Sequence, residues 1–404
     1  MRIAFICTSG LDNATPRGRL RPLARELVRL GYQPFLFLLH PTFDRLKADG
    51  RNFIVDGMHI VYAAQMHVYG LPGERRYFNP LKLAGVSLRA TYMLTRACLR
   101  SRPDIVHVCK PQPINGLAGW LAARRLRCPL FVDCDDYEAE ANRTSSALQR
   151  RIIAWWEDRL PRHAQGVTVN TRFLQARCIR QGVPPGHIAY VPNGADPVSS
   201  KDMDAMIAAL PAEVQALRNF PTVAYVGTMS TIAHGVDLLL NAFAMLRERL
   251  PHARLLMVGD GDDRAALQAQ AEALSIASSV HWTGRLTHLQ ARAHYGVAAC
   301  SVDPVYDTPA ARARSPLKIV ESLAAGVPVV TGDVGDRREM LASGAAGVLV
   351  SPGDAQALAE GILTVLCNEA LRLQLRAGAL CRREHYRWDT LAAQWAGLYS
   401  CVTG

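Results

Sequence analysis

Short apolar runs alternate with segments of helical periodicity along the whole chain. The runs are rich in Val, Ile, Leu and Phe, and each has the length of one buried strand. Buried strands separated by helix-length segments are typical of parallel sheets covered by helices on both faces. The pattern predicts an α/β fold with strands within Ile3–Cys7, Phe35–Leu39, Ile105–Val108, Leu130–Val132, Val167–Val169, Val223–Val226, Leu255–Val258, Val297–Val302 and Val327–Val330.

The chain has 404 residues, of which 49% are hydrophobic and 20% charged, so it is too long for one core and suits two domains. A polar stretch from Asn193 to Pro197, followed by prolines at 211 and 221, is typical of a joint. We therefore predict domains at 1–197 and 198–385. Apolar spacing near the end predicts a final amphipathic helix at 386–404.

Positive charge is concentrated in the first half. Residues 1–200 hold 28 Lys and Arg against 15 Asp and Glu, a net +13, although the whole chain has only +11. This charge predicts contact with an anionic membrane surface or an acidic acceptor, and an ordinary solvated face is the alternative. Nucleic-acid binding is disfavoured, because no recognised binding motif accompanies the charge. The basic groups are Arg17, Arg19, Arg21, Arg25 and Arg29; Arg75 and Arg76; and Arg124, Arg125 and Arg127.

Compartment signals favour the cytoplasm. No apolar run reaches 18 residues, and the run at the amino terminus is too short for a secretory signal. The ten cysteines show no C-x-x-C spacing, so we interpret them as reduced thiols. We expect a cytoplasmic protein that can lie peripherally on the cytoplasmic face of a membrane.

The segment 315–331 combines a helix, its end and a strand. Ser315 is a suitable N-cap, and Pro316 suits the first helical position. Lys318 and Glu321 fall on one helix face near its N-terminus, where anions are attracted. A surface salt bridge between the two is the alternative interpretation. The remaining positions supply a buried stripe, a left-handed helix end and a strand: Leu317, Val320, Leu323 and Ala324; Gly326; and Val327–Val330.

This segment closely resembles the signature of family 4 glycosyltransferases, P-x-K-x-x-E-x-x-A-x-G-x-P-V-V. The resemblance implies a GT-B fold, in which two Rossmann-like parallel-sheet domains face each other across a cleft and the final helix packs back on the N-terminal domain. It also implies that the helix N-terminus meets the donor diphosphate, with Lys318 as the main cation. Glu321 would accept hydrogen bonds from the ribose hydroxyls, since two vicinal hydroxyls can donate to its two oxygens.

Motifs before this helix match the same family in order. The turn after Tyr225 and the helix start at His234 match the loop from which the family commonly offers an Arg and a Lys to the diphosphate. Thr228 and His234 occupy those two positions here. The stretches 258–264 and 280–285 match the next strands and loops, beside the nucleotide base. The implied donor site consists of Glu321, Lys318, Ser315, Leu317, Gly227, Thr228, His234, Asp260 and Arg285.

A dinucleotide fingerprint is the alternative interpretation of 258–264. Arg264 replaces its third glycine, and G-x-G alone is a weak signal. Nicotinamide chemistry is therefore disfavoured.

In the first half, the stretch from Pro103 to Lys110 resembles the family's P-D-I-V-H-x-H strand, whose second His faces the transferred sugar. Cys109 takes that position. Lys110 is the better candidate for a catalytic role. It follows the strand, and ligands of open α/β sheets bind at the carboxyl edge of the sheet. His107 is a further catalytic candidate, with a buried core histidine as the alternative.

Several carboxylates follow the predicted strand at 130–132. We favour an acceptor-hydroxyl site, with solvated loop acids and a metal site with oxygen ligands as alternatives. Asp135 is predicted to act with Lys110 in catalysis, and Asp136 to contact the acceptor together with Arg17. In the loop after the first strand, where many relatives carry paired glycines, Arg17 or Arg19 is the candidate to lend side-chain charge instead. GT-B enzymes as a class usually stabilise the leaving group without a metal, so we expect no metal or other cofactor. The carboxylates are Asp133, Asp135, Asp136 and Glu138.

The family's E-x7-E signature places a sugar-contacting Glu eight residues before Glu321, and this chain has Ala313 there. Asp303 and Asp307 are candidates to replace it, with solvated acids as the alternative.

The resemblance therefore implies a retaining glycosyltransferase that moves a sugar from a nucleoside diphosphate sugar to a hydroxyl of a lipid-linked, polysaccharide or small-molecule acceptor. Front-face displacement, in which the leaving phosphate helps to deprotonate the acceptor, needs no nucleophile. The alternatives are a non-catalytic nucleotide-binding or partner protein and a nucleotide-sugar epimerase.

Overall fold

The computed structural model describes residues 1–13, 15–70, 76–141 and 146–403, so Arg75 lies outside the described residues. The chain divides into two compact units. Unit 1 comprises Met1–Asn193, Ala313–Ser315 and Trp388–Gly404, and unit 2 comprises Gly194–Arg312 and Pro316–Arg387.

Unit 1 is built on an eight-stranded sheet. Its strands are parallel except for the β3–β4 pair. In chain order its elements are β1 Arg2–Ile6, α1 Arg21–Arg29, β2 Gln33–His40, α2 Ala48–Arg51, β3 Asn52–Val55, β4 Met58–Gln65, β5 Val68–Tyr69, β6 Arg76–Tyr77, α3 Pro80–Ser101, β7 Ile105–Cys109, α4 Pro113–Leu126, β8 Leu130–Cys134, α5 Glu138–Ala141, α6 Ala147–Arg159, β9 Gly166–Val169, α7 Arg172–Arg180 and β10 Ile188–Tyr190.

The strand order across this sheet is β10-β9-β8-β7-β1-β2-β4-β3. The chain first runs outward from β1 to β2 and later returns to place β7 on the other side of β1. This reversal makes a topological switch point between β1 and β7, where open α/β sheets bind ligands beyond the carboxyl ends of their strands. Helices α3, α4 and α6 contribute to the core on one face of the sheet, and α1 contributes to the core on the other.

Unit 2 has six parallel strands in the order β13-β12-β11-β14-β15-β16, with its switch point between β11 and β14. Its elements are α8 Ser200–Ala208, α9 Ala212–Gln215, β11 Thr222–Val226, α10 Thr231–His234, α11 Val236–Arg249, β12 Arg254–Val258, α12 Arg264–Ala273, β13 Val280–Gly284, α13 His288–Ala293, β14 Cys300–Asp303, α14 Pro309–Arg312, α15 Leu317–Ala324, β15 Val329–Gly332, α16 Arg337–Met340, β16 Gly347–Val350, α17 Ala355–Cys367 and α18 Glu369–Arg382.

The last helix, α19 Trp388–Thr403, belongs to unit 1. Trp395 and Tyr399 are buried in the core that also holds Phe5 and Leu23, so α19 packs on the same sheet face as α1. The expected final helix is therefore present, and it completes the hydrophobic core of unit 1.

The structure has a strand at each of the positions that the alternating pattern predicted, although the ends of the strands are shifted. Val297–Val302 is the largest deviation: Val297 ends a 3-10 turn, and the strand begins only at Cys300. Within the described residues, no helix is long and apolar enough to cross a membrane.

Candidate functional site

In unit 2, helix α15 begins one residue later than the sequence suggests. Pro316 is its N-cap, and no side chain caps the helix. The prediction of Ser315 as N-cap is wrong, because its hydroxyl accepts a hydrogen bond from the Asn193 N–H at 3.0 Å and its carbonyl accepts one from the Asn193 side chain at 2.7 Å. These two hydrogen bonds attach the segment Ala313–Ser315 to the rest of unit 1. The amides of the first turn of α15 remain without a side-chain cap.

Glu321 lies in the second turn of α15 with its side chain 12% exposed. Oε1 is 2.7 Å from His288 Nε2, and Oε2 is 3.3 Å from the Tyr295 hydroxyl. Burial and the charge of Glu321 raise the pKa of Tyr295 well above its ordinary value, so this hydroxyl keeps its proton and can donate it. Both carboxylate oxygens are thus oriented by neighbouring side chains, and neither neighbour is Lys or Arg.

Lys318 turns to Asp303, which ends β14. Its Nζ is 3.2 Å from Asp303 Oδ1 and lies over the Tyr225 ring, 4.7 Å from the centroid. Arg337 Nε is 2.8 Å from the other oxygen of Asp303. Burial opposes ionisation of Asp303, but the charges of Arg337 and Lys318 outweigh it and hold the pKa of Asp303 well below its usual range. One carboxylate therefore meets two cations, which leaves an excess of positive charge.

Close backbone contacts require the two glycines of the stretch 258–261, Val-Gly-Asp-Gly. A Cβ on Gly259 would come within 2.1 Å of the Gly227 carbonyl oxygen, and one on Gly261 within 2.2 Å of the Met229 carbonyl oxygen. Gly259 also has φ +128°, which disfavours other residues. The loop after β11 packs on the loop after β12 through these glycines. The two glycines therefore have a structural role that requires no bound dinucleotide.

The other predicted donor residues are distributed around these loops. Thr228 is exposed, and its carbonyl accepts from the Tyr225 hydroxyl at 2.6 Å. His234 ends the short helix α10, and Asp260 accepts from the Gly261 N–H at 3.0 Å. Arg285 is exposed just after β13. A Cβ on Gly227 would come within 3.3 Å of Lys318 Cε, so Gly227 adjoins the lysine that the sequence singled out.

Neither candidate replacement for the missing sugar-contacting Glu is available. Asp303 is paired with Arg337 and Lys318 in a buried group. Asp307 forms two hydrogen bonds of 2.7 Å with the Arg312 guanidinium at the surface. Ala313 itself is fully buried. Among the described residues, both proposed substitutes are therefore already engaged by cations.

In unit 1, Lys110 lies at the centre of a group of carboxylates. Its Nζ is 2.5 Å from Glu138 Oε1, 2.8 Å from Asp136 Oδ2 and 3.4 Å from Asp135 Oδ1. Lys110 follows β7, which lies next to β1 at the switch point, and the carboxylates follow β8, which lies next to β7. We call Lys110, Asp135, Asp136 and Glu138 the Lys110 cluster. The sequence predicted Lys110, Asp135 and Asp136 at this edge, and the structure brings them together.

A chain of hydrogen bonds extends the Lys110 cluster to the end of β1. Gln112 donates to Glu138 at 2.6 Å and accepts from the Thr8 hydroxyl at 2.9 Å. Lys110 itself has φ +67°, in the left-handed region that few residues other than glycine adopt. Backbone strain of this kind tends to occur at functional sites.

Asp135 is buried, and its Oδ1 has no hydrogen-bond partner among the described residues. Burial raises the pKa of Asp135 to about 8; Lys110 lowers it, whereas the nearby Asp136 charge adds to the rise. A carboxyl group with a pKa near neutrality can exchange a proton under physiological conditions.

His107 does not belong to this site. It is fully buried, its Nδ1 is 2.7 Å from the Tyr399 hydroxyl, and its ring stacks on Trp395 at 4.7 Å between centroids. Burial lowers the pKa of His107 to about 3. The catalytic interpretation is therefore not supported, and the alternative of a core histidine fits the geometry.

Arg17 and Arg19 share the π-helical turn Pro16–Leu20 but differ in environment. Arg17 is exposed, as a contact with an acceptor requires. Arg19 is buried and forms a bidentate pair with Asp133, at 2.8 and 2.9 Å. Arg19 therefore has a structural role and is not available to a ligand.

Two sequence families match the chain. Residues 16–194 match the family described as "Glycosyl transferase 4-like domain", and residues 220–368 match "Glycosyl transferases group 1". The chain belongs to family 4 of the glycosyltransferases.

The curated relatives of this family 4 member include mannosyltransferases. It is 32% identical over 219 residues to phosphatidyl-myo-inositol mannosyltransferase of Mycobacterium tuberculosis, which covers 53% of this chain and 54% of the relative. A GDP-mannose-dependent alpha-(1-6)-phosphatidylinositol monomannoside mannosyltransferase of the same organism is 28% identical over 233 residues, covering 57% and 60%. The match spans about half the length of the first of these relatives.

Solved structures establish that this family 4 member has the GT-B fold. Sucrose-phosphate synthase of Thermosynechococcus elongatus superimposes with a TM-score of 0.78 at 20% identity, covering 100% of this chain and 99% of that one. Anabaena HepE in complex with UDP-glucose gives 0.72 at 18% identity, covering 99% of both chains.

Sequence reasoning missed four residues that build the two sites. Arg337, His288 and Tyr295 complete the surroundings of Lys318 and Glu321, and Gln112 extends the Lys110 cluster. The only signal for three of them was their position just after a strand or at a helix start. Tyr295 lay in a 3-10 turn that the pattern had assigned no role.

Proposed function

We propose that this protein is a retaining glycosyltransferase that transfers a sugar from a nucleoside diphosphate sugar to a hydroxyl group of an acceptor. The observation that carries the proposal is the arrangement of Lys318 and Glu321 on α15. A partly accessible, oriented carboxylate and a cation lie within one helical turn of each other, beside amides that no side chain caps.

The donor is proposed to bind unit 2. Lys318 and Arg337 both meet Asp303, so two cations lie in the group that we propose to face the diphosphate. A departing nucleoside diphosphate gains negative charge in the transition state, and a fixed cation lowers the barrier there. Glu321 is proposed to accept hydrogen bonds from the ribose. Anabaena HepE, of the same fold, was solved with UDP-glucose, which supports a sugar nucleotide as the donor class.

The acceptor is proposed to bind the Lys110 cluster of unit 1. Its carboxylates offer lone pairs to sugar or inositol hydroxyls, and Asp135 has one buried oxygen without a hydrogen-bond partner. Asp135 would hold the reacting hydroxyl, Lys110 would set the charge of Asp135, and Asp136 with Arg17 would contact the rest of the acceptor. The leaving phosphate would take the proton from the same face. The names of the curated relatives support a lipid-linked acceptor. We propose that the protein reaches it from the cytoplasmic face of a membrane.

We infer that transfer needs no metal ion. Among the described residues, one carboxylate group has the geometry of a metal site, that of Asp135, Asp136 and Glu138. The Lys110 ammonium already lies within 3.4 Å of all three, so a divalent cation would have to displace it. Transfer rates should therefore be equal with EDTA and with added Mg²⁺ or Mn²⁺.

The proposal is tested with GDP-mannose and UDP-glucose as donors and phosphatidylinositol as acceptor. The product should retain the anomeric configuration, as read by NMR. Glu321→Ala should lower kcat/KM at least about 100-fold, since two charge-assisted hydrogen bonds are lost. Glu360→Ala is the matched control, because Glu360 pairs with Arg249 on the exposed surface. Wild-type turnover in Glu321→Ala would contradict the proposal.

A nucleotide-binding protein without transfer activity is the second candidate. One observation favours it: Ala313 replaces a sugar-contacting Glu, and Asp303 and Asp307 are engaged elsewhere. Thermal shift and a turnover assay together separate the two candidates. A donor at 100 times its Kd should stabilise the protein by about 2.7 kcal/mol whether or not transfer follows. Donor-induced stabilisation without turnover, across a panel of acceptors, would support this candidate.

A further inference from the structure

The outer surface of one helical layer in unit 1 combines exposed apolar side chains with unpaired basic ones. Helices α3, α4 and α6 cover one face of the sheet: Leu94 of α3, Ala118 of α4 and Trp156 of α6 all contact the same core. Helix α4 contacts both of the others, so the three form one layer. Their opposite sides face away from the sheet.

On α3 the exposed residues form two parallel stripes. Leu81, Leu88 and Tyr92 recur at intervals of seven and four, which places them within about 40° of one another on a helix with about 100° per residue. Leu81 is 89% exposed and Leu88 71%. The basic residues of the helix follow on one side of this stripe, and all are exposed: Lys82, Arg89, Arg96 and Arg100.

Helix α6 repeats this arrangement. Leu148, Ile152 and Trp155 share one face at helical spacing, and Trp155 is 51% exposed. Arg159 lies over the Trp155 ring at 5.5 Å, and Arg151 adjoins the same face. Apolar side chains are normally buried in a helix of this kind, so two helices of one layer that both expose them indicate an interaction surface.

The charge of this layer is one-sided. Helices α3 and α4 contain six basic residues and no acidic one. The two acids of α6 are engaged within unit 1: Glu157 accepts from the Glu138 and Ala139 N–H groups, and Asp158 pairs with Arg177. In the described part of the chain, none of the basic residues of α3 and α4 forms an ion pair. On the opposite sheet face, by contrast, Arg21 and Arg29 of α1 are paired with Asp56 and Glu26.

We propose that this outer surface of α3, α4 and α6 docks on a bilayer containing anionic lipids. The aromatic and leucine side chains would enter the headgroup region while the arginines contact lipid phosphates, the arrangement expected of interfacial helices. A second copy of the chain is disfavoured as occupant, because it would bring the same positive charge against itself. The relevance of this surface to catalysis rests on the proposed function, in which the acceptor is lipid-linked. Its binding to lipid does not depend on that function.

The test is co-sedimentation with vesicles of phosphatidylcholine, with and without phosphatidylglycerol. Wild-type protein should bind the anionic vesicles, with binding that weakens as salt is added. Arg89→Glu/Arg96→Glu/Arg100→Glu should lower vesicle affinity more than about 50-fold, at about fivefold per lost basic residue. Leu88→Ser/Tyr92→Ser/Trp155→Ser should weaken binding without changing its salt dependence.

The matched control reverses three exposed basic residues of unit 2, as Lys201→Glu/Arg218→Glu/Arg376→Glu, and should bind like wild type. Equal thermal stability of all variants shows that they are folded. Failure of the wild type to bind anionic vesicles, or wild-type binding by the arginine variant, would overturn the proposal. So would a dimer in light scattering that the same substitutions dissociate. Hydrolysis of the donor in the absence of lipid should be equal in all variants, so loss of that activity would count against the proposed function and not against the docking surface.

Discussion

The two units place charged side chains at the same structural position but with opposite excess charge. In unit 1 one ammonium, that of Lys110, meets three carboxylates. In unit 2 one carboxylate, that of Asp303, meets Lys318 and Arg337. Both groups lie at the carboxyl edge of a parallel sheet near its switch point. The sheet therefore fixes where a charged group forms, whereas the charges in the group set the ligand that we propose for it: hydroxyl groups in unit 1 and phosphates in unit 2.

The two groups also respond differently to protons. Burial opposes ionisation of Asp303, but Arg337 and Lys318 hold its pKa well below its usual range, so Asp303 stays ionised near neutral pH. In the Lys110 cluster, by contrast, burial raises the pKa of Asp135 to about 8. Substitutions should therefore separate a carboxylate that stays ionised from a carboxyl group that takes up a proton near neutral pH.

The largest expected effect is that of Asp303→Asn. It leaves Lys318 and Arg337 buried without their counter-charge, and breaking a buried pair in this way costs about 3 to 5 kcal/mol. Urea unfolding near neutral pH should show this loss as a lower unfolding midpoint. Asp307→Asn, which removes an exposed partner of Arg312, is the control and should leave the unfolding midpoint unchanged. A loss below about 1 kcal/mol for Asp303→Asn would mean that the two cations are solvated.

Lys110→Met makes the converse change in unit 1. We expect a loss of about 2 to 4 kcal/mol near pH 8, because three carboxylates then share a site without a cation. Lys110 lowers the pKa of Asp135, so its removal raises that pKa further in the folded state, and the folded protein then binds a proton that the unfolded chain releases. Stability should thus return as the pH falls towards about 5.

A matched Lys201→Met substitution on the exposed surface should leave the free energy of unfolding unchanged. A loss for Lys110→Met that is constant with pH would show that the carboxylates of the Lys110 cluster do not repel one another.

Asp135→Asn removes the carboxyl group whose pKa is raised. The folded pKa of Asp135 is about 8. Its contribution to stability is therefore fully present below the ordinary value of about 4 and is lost as the pH rises through the folded pKa. Wild-type stability should fall over this interval by up to about 1.4 kcal/mol per pH unit, and the Asn variant should lose that slope. Equal pH profiles in guanidinium unfolding would rule out the raised pKa.

The smallest expected effect is that of His288→Ala. His288 is half exposed and orients one oxygen of Glu321 through a hydrogen bond of 2.7 Å. A half-exposed pair of this kind contributes about 0.2 to 1 kcal/mol, so the donor KM should rise by up to about fivefold with kcat unchanged. His252→Ala, on the loop before β12, serves as the control. An unchanged KM would mean that Tyr295 alone orients the carboxylate.

Local sequence determined the architecture of this protein because strand and helix patterns depend on near neighbours. The apolar runs gave the α/β class, the positive φ of Gly326 ends α15 as the segment predicted, and the spacing of three residues put Lys318 and Glu321 on one helix face. The cluster of acids after β8 and Lys110 after β7 could be assigned to one sheet edge for the same reason: adjacent parallel strands end together.

Only the tertiary structure decided which partner each charge meets. Arg337 reaches Asp303 from 34 residues away, His288 reaches Glu321 from 33, and His107 is held by Tyr399 from 292. Such contacts convert a predicted catalytic histidine into a core residue, and Ser315 from an N-cap into a partner of Asn193. The physical reason is that pairing and pKa depend on distance and burial in space, and neither can be read from separation along the chain.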